Sequence, residues 1–294
     1  MMKVYPILVI FCVFLIIQLN PVYSSKDPYD VPFEKPQLNN VLLDRYIVVP
    51  EKKILFCYIE KVGCTTFNHL FAALRGQEWR WFLNSPREHN MTKADLERII
   101  EDPSWHKGVF YRHPLDRLLS AYKSKCEFSP HRDSDGVIHC QAALNLFKIG
   151  RSSANRTQDF RTVVKYLADH NTAYHKQRMN VHWAPQSVFC GGLTKNLHYF
   201  QTVELFNPQD LRGKVETMLK SAGIKKPAAE IPNFDETFSG NKQQQKRWTH
   251  AEQFALEYYK SGIVRDAIRY YLEDYLLFGV PLRGWALQFL PGLF

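Results

Sequence analysis

Apolar and polar positions divide the chain into three stretches of different character. Behind Lys3 lies an apolar run from Val4 to Leu19 (VYPILVIFCVFLIIQL), and after it a polar stretch punctuated by Pro21, Pro28, Pro32, Pro36 and Pro50 that resists regular structure. From about Tyr46 onward, short apolar runs alternate with helical stripes. Ile54 to Ile59 (ILFCYI) is a continuous run of β-favouring residues, the pattern of a strand buried on both faces of a parallel sheet. The loop Glu60-Lys61-Val62-Gly63-Cys64-Thr65 follows, and Thr66 to Leu74 then places Phe67, Leu70, Phe71 and Leu74 at helical spacing. The unit reads as strand, tight turn, helix.

A second unit repeats this layout. Gly108 to Tyr111 predicts a strand, Arg112-His113 the turn, and Pro114 the first helical position, where a missing N–H costs nothing. The helix LDRLLSAYKSK buries a stripe of Leu115, Leu118, Leu119 and Tyr122 and leaves Ser120 on another face, with Asp116 and Arg117. Asp159 is positioned to cap a helix with Phe160, Val163, Val164 and Leu167 inward. Asn207-Pro208 opens another that Gly223 stops, Thr249 to Glu252 forms a capping box, and a long helix runs from about Ile263 to Phe278, ending at Gly279-Val280-Pro281. With no internal repeat, the pattern predicts one α/β unit, divided as a leader (1–24), a stem (25–45), a folded domain (46–281) and a C-terminal tail (282–294).

The leader sets the compartment. Its apolar run engages the secretory machinery, either as a signal peptide cleaved near Val22-Tyr23-Ser24 or as a signal anchor extended through Pro21-Val22-Tyr23. No second stretch could cross a bilayer, so the domain is expected in the lumen or outside the cell. Two glycosylation sequons, Asn90-Met-Thr92 and Asn155-Arg-Thr157, are consistent with that route. Of the six cysteines, Cys12 sits in the leader, which leaves Cys57, Cys64, Cys126, Cys140 and Cys190 and at least one unpaired thiol. Cys126 and Cys140 bracket a polar loop and are the expected disulfide, worth about 3 kcal/mol by loop closure. Neither CxxC nor HExxH occurs, so no metal is expected.

Composition narrows the partner without naming it. The 294 residues are 45% hydrophobic and 14% aromatic, which excludes a disordered or fibrous chain. A formal charge of +9 favours an anionic partner, leaving nucleic acid, acidic glycan, anionic lipid and nucleotide phosphate open.

The two turns carry the chemistry. A strand that ends in a Lys- and Gly-containing turn and continues as a helix aims backbone N–H groups and the positive helix end at one point. Lys61 adds a mobile charge there, Thr65 and Thr66 add hydroxyl donors, and Gly63 lets the backbone approach closely. The full GxxxxGK[ST] loop is missing, which disfavours a magnesium-dependent nucleoside triphosphatase. Arg112 is a rigid cation suited to a second phosphate, and Ser120 could donate to the same group. Two anion sites at neighbouring strand ends describe a bisphosphorylated nucleotide lying across a switch point.

FCYIEKVGCTTFNHLFAAL resembles the 5'-phosphosulfate loop, and GVFYRHPLDRLLSAYKSK the 3'-phosphate site, of the Golgi carbohydrate sulfotransferases, closest to the chondroitin 4-O and HNK-1 branch. His182-Trp183-Ala184-Pro185 with Cys190 is similar to that branch's HWxP...C segment, Tyr199 to Glu204 to its YDFIGKxE segment, and Tyr270 to Gly279 to its closing motif. Departures are Glu60, where the branch has proline, and Cys190-Gly191-Gly192, where it has CxPC.

The resemblance implies a P-loop-like three-layer sulfotransferase fold, with a central, mostly parallel sheet flanked by helices. It implies transfer of a sulfuryl group from 3'-phosphoadenosine 5'-phosphosulfate (PAPS) to a glycan or proteoglycan hydroxyl, without metal. Lys61, Val62, Gly63, Cys64, Thr65 and Thr66 would hold the 5'-phosphosulfate, and Arg112 and Ser120 the 3'-phosphate. Lys61 would also stabilise the leaving oxygen, and His182 would be the general base, with His69, His89 and Glu60 as alternatives. His113 shapes the turn. Lys123, Lys125, Arg132, Lys242, Lys246 and Arg247 could line a path for an acidic glycan. The implied location is the Golgi membrane in type II orientation, or secretion if the leader is cleaved, which argues against nucleic acid as partner. The rival readings are a non-catalytic glycan or nucleotide binder on the same fold, and a kinase or other P-loop enzyme.

Overall fold

The computed structural model describes residues 35–127, 156–239, 251–260 and 262–290. Four strands form one mixed sheet in the order β1 (Tyr46–Val49), β2 (Ile54–Cys57), β3 (His106–Tyr111) and β4 (Thr202–Leu205). β1 is antiparallel to β2, pairing Tyr46 with Cys57, whereas β2, β3 and β4 run parallel, with Cys57 opposite Val109 and Gly108 opposite Thr202. All residues of β1 and β2 are buried, as the continuous apolar runs require. The expected strand over 54–59 ends at Cys57, and Tyr58 and Ile59 stay buried as the chain leaves the sheet.

Side-chain alternation assigns the two covering layers. Phe56 and Phe110 point to one face, where they meet Phe67 and Phe71 of α1 (Cys64–Leu74). Cys57 points to the other and forms a disulfide with Cys190. This bridge closes a loop of 133 residues, worth about 5 kcal/mol by the chain-entropy estimate. The spacing of the cysteines did not announce it. Of the expected Cys126–Cys140 pair, Cys140 lies outside the described residues, as do the leader, Asn155 and Thr249.

The remaining helices follow the sequence with informative differences. α2 (Lys93–Glu101) starts at a reciprocal capping box between Thr92 and Asp95. α3 (Pro114–Tyr122) has proline at its first turn as expected, but it is buried on every side, Asp116, Arg117 and Ser120 included, because it packs both on the sheet's end and within a second, all-helical core. That core adds α4 (Arg156–Asp169), which begins ahead of the expected cap Asp159, so that Asp159 lies inside the helix. α5 (Leu211–Ser221) begins three residues after Pro208, since the Asn207 side chain accepts from Gln209 N and holds a turn first. α6 (Ala251–Tyr258) completes the second core together with the C-terminal helices. The single helix expected over 263–278 is two, α7 (Ile263–Tyr270) and α8 (Leu272–Phe278), broken at Tyr271. Tyr271 donates to Trp183 O at 2.8 Å, and Asp274 beyond the break accepts from the backbone N–H groups of Gln186 and Ser187.

Packing extends past both expected domain boundaries. Gln37 N donates to Asn196 Oδ1, Asn39 N to Gly191 O, and Leu38 is buried; at the other end Ala286 and Leu290 are buried and Arg283 pairs with Asp116.

Candidate functional site

The site is built at the carboxyl ends of β2 and β3. After Ile59 the chain turns through Lys61 at φ 68° and Gly63 at φ 72°, two left-handed residues within three positions, and α1 begins at Cys64. A left-handed lysine is uncommon and marks a backbone held by its surroundings. The first-turn N–H groups of α1 have no acceptor within the helix, so the loop presents donors and the positive helix end together. Thr65 and Thr66 are partly exposed on that turn, and Cys64 carries a free thiol whose pKa is pushed up by burial.

Cations crowd the loop. The Lys61 ammonium has its pKa pulled down to about 8, first by burial and then by repulsion from Lys125, Arg112 and Arg117, with the Cys64 sulfur opposing. The acid next in sequence to Lys61 is engaged elsewhere: Glu60 is buried and accepts from Arg45 Nε at 2.6 Å. Burial raises the Glu60 pKa, and the Arg45 charge opposes that rise.

Arg112 stands at the end of β3, and its guanidinium donates to the Lys61 carbonyl at 3.1 Å. Its backbone is clamped by the Gln186 side chain, which accepts from Arg112 N at 2.9 Å and donates to Arg112 O at 2.8 Å. Phe206, which follows β4, lies against the same guanidinium, 5.7 Å from ring centre to Arg112 Cζ. His113 faces Pro281 O and the edge of Tyr275. Burial, reinforced by Arg283, lowers its pKa to about 3, so it is a neutral structural histidine at physiological pH. Ser120 is buried two turns into α3.

One residue ties these pieces together. The fully buried Arg117 donates to Glu60 O at 2.9 Å, Ala184 O at 2.7 Å and Val181 O at 3.0 Å. Its fork therefore holds the peptide before Lys61 and the two peptides flanking His182-Trp183, which brings the expected base into the neighbourhood of the loop. The alternatives to His182 fare differently. His69 stacks on Trp79 a turn beyond Thr65, His89 is bonded to Val48 O on the β1 edge, and Glu60 is occupied by Arg45. Arg132, Lys242, Lys246 and Arg247 lie outside the described residues, whereas Lys123 is buried with its ammonium 3.8 Å from the Phe254 ring centre. Sequence reasoning missed Gln186, Phe206 and Asp274, and saw Arg117 only as a helix-face residue, because their partners are distant in the chain. Among the described residues, no group of His, Cys, Asp or Glu could hold a metal, and no helix is long and apolar enough to cross a membrane.

The profile of the Sulfotransferase family matches residues 44–281. The chain is similar to carbohydrate sulfotransferase 14 of Danio rerio, 23% identical over 272 residues that cover 89% of this chain and 69% of that protein. Carbohydrate sulfotransferase 14 of Homo sapiens is 23% identical over 87% of this chain and 65% of its own length. Carbohydrate sulfotransferase 10 of Danio rerio is 27% identical over 92% and 75% respectively. The chain thus spans about two thirds to three quarters of these relatives. No solved structure matches it.

Proposed function

This chain belongs to the Sulfotransferase family, and on that premise we propose that it moves a sulfuryl group from PAPS to a glycan hydroxyl in the secretory pathway. One observation carries the reading: the Arg112 guanidinium donates to the Lys61 carbonyl, so the ends of two neighbouring strands bring a guanidinium and an ammonium together on one cationic surface. That surface fits a donor with phosphates at both ends. The Lys61–Thr66 loop would take the 5'-phosphosulfate, and Arg112 with Ser120 the 3'-phosphate. The glycan acceptor follows from the names of the relatives.

In the transfer, the acceptor oxygen forms a bond to sulfur as the bond from sulfur to the 5'-phosphate oxygen breaks, and the acceptor proton passes to a base. Negative charge grows on the departing phosphate oxygen, so Lys61 and the α1 amides bind the transition state more tightly than the ground state. His182 would take the proton.

Glu60, the acid that stands where the branch has proline, is paired with Arg45, which favours an anion-binding loop over the non-catalytic alternative. A lumenal location with an N-terminal anchor agrees with a buried disulfide, which belongs to oxidising compartments. The test is transfer of labelled sulfate from PAPS to a panel of glycans. Wild-type protein should transfer, and Lys61→Ala and Arg112→Ala should each abolish transfer while still melting cooperatively. Activity retained in both variants would refute the site.

A further inference from the structure

Two adjacent aromatic residues on the turn that runs along β1, Trp81 and Phe82, are 48% and 42% exposed. They are not a floppy tip. Phe82 at φ 62° and Asn84 at φ 71° are both left-handed, and the turn is pinned by Leu83 N to Arg80 O, Ser85 N to Phe82 O and Val48 N to Asn84 O, with Arg75 also donating to the Asn84 side chain. Holding a bulky aromatic in that conformation while leaving it partly exposed is a local conflict of the kind that collects at binding sites. Trp81 meets Trp79 edge-on at 5.2 Å, and Trp79 stacks on His69 of α1 at 4.4 Å; Trp79 Nε1 is buried without an acceptor.

The placement of this aromatic turn is specific. The Phe82 ring lies 4.9 Å from Arg45 Cζ, and Arg45 is the residue whose Nε holds Glu60, next to Lys61. In the strand order β1-β2-β3 the turn lies on the β1 flank of the Lys61 loop, and Arg112 lies on the β3 flank. On the donor-site reading, the sulfuryl end of the donor belongs to the Lys61 loop at the end of β2, one strand nearer β1 than Arg112. An acceptor oxygen must approach sulfur opposite the leaving phosphate oxygen, and the turn of Trp81 and Phe82 borders that end of the donor site through Arg45 and Glu60. The apolar C–H faces of sugar rings stack on exposed aromatic rings, which hold a large rigid contact area at small entropic cost.

We propose that Trp81 and Phe82 form the acceptor subsite, stacking on sugar rings of the glycan that receives the sulfuryl group. This rests on the donor-site reading above, and the experiment separates the two.

Wild-type, Trp81→Ala and Trp81→Phe full-length proteins are each titrated with adenosine 3',5'-bisphosphate by calorimetry, then applied to a glycan array with that nucleotide saturating, and the acceptor identified is used for kinetics. Trp81→Ala should lose about tenfold in glycan binding and raise the acceptor KM by about as much, with kcat and nucleotide affinity within about twofold of wild type, while Trp81→Phe keeps most of the binding. Wild-type glycan binding in Trp81→Ala overturns the subsite, as does an array silent for wild-type protein that binds nucleotide. Failure of wild-type protein to bind the nucleotide overturns the donor reading instead. Melting curves of the three proteins should coincide, because Trp81 is largely outside the core.

Discussion

The Phe206 ring occupies the space a side chain at Gly63 would need: a Cβ built there falls 2.8 Å from Phe206 Cε2. Phe206 N also donates to Tyr111 O, so the ring is carried by the β3–β4 pair and cannot retreat without moving off the Arg112 guanidinium. Gly63 at φ 72° is thus required both by backbone and by space. Gly63→Ala should cost about 1–3 kcal/mol in stability and weaken adenosine 3',5'-bisphosphate binding by about tenfold or more, read by calorimetry. Phe206→Ala in the same chain removes the clash but not the strain, so the double variant should recover only part of the loss.

Lys61 gives a signed pH dependence. Its folded pKa lies near 8, below the ordinary lysine value, so between about 8 and 10.5 the unfolded chain holds the proton that the folded chain has lost, and stability should rise with pH across that window. Binding an anionic donor runs the other way, because it favours the protonated amine. Nucleotide binding at pH 8 should therefore take up protons, detected as a buffer-dependent enthalpy, and the uptake should vanish at pH 6 and in Lys61→Arg. Equal enthalpies in all buffers at pH 8 would exclude this role for Lys61.

Arg117 is expected to matter for folding as much as for activity. Three backbone carbonyls depend on it, and a buried lysine cannot reproduce the fork. Arg117→Lys should lower stability by about 3 kcal/mol in urea unfolding, and Arg117→Ala by more, with both losing activity beyond what the stability loss accounts for, because the Glu60 and Val181–Ala184 peptides are released together.

This division explains what was legible in the sequence. The two strand–turn–helix units were readable because periodicity is local, and Lys61 and Arg112 stand out beside them. The Cys57–Cys190 bridge, the Arg117 fork and the Asp274 cap on Gln186–Ser187 join segments 57 to 133 residues apart, and no local pattern encodes them. The break at Tyr271 has the same origin: an uninterrupted apolar stripe reads as one helix, whereas the turn answers to Trp183 and Gln186, distant in the chain. Cys57→Ser or Cys190→Ser should accordingly cost about 2–5 kcal/mol, measured by urea unfolding against wild-type protein with the bridge intact.

The Arg45–Glu60 pair yields the sharpest test of why an acid is tolerated beside the loop. Arg45 holds one Glu60 oxygen at 2.6 Å, while Oε2 is buried without a partner. Removing the cation leaves Glu60 buried beside the loop with Arg117 as its remaining cationic neighbour, where any charge it keeps counts against a bound phosphate; removing the acid leaves Arg45 with Asp44 and its aromatic neighbours Tyr58 and Phe82. Arg45→Ala should therefore weaken donor binding by about tenfold or more, Glu60→Gln should change it by about threefold or less, and the double variant should bind better than Arg45→Ala alone. Calorimetry with adenosine 3',5'-bisphosphate across the four proteins measures the cycle. If the double variant is no better than Arg45→Ala, the arginine acts through packing on Phe82 and Tyr58 and not by neutralising Glu60.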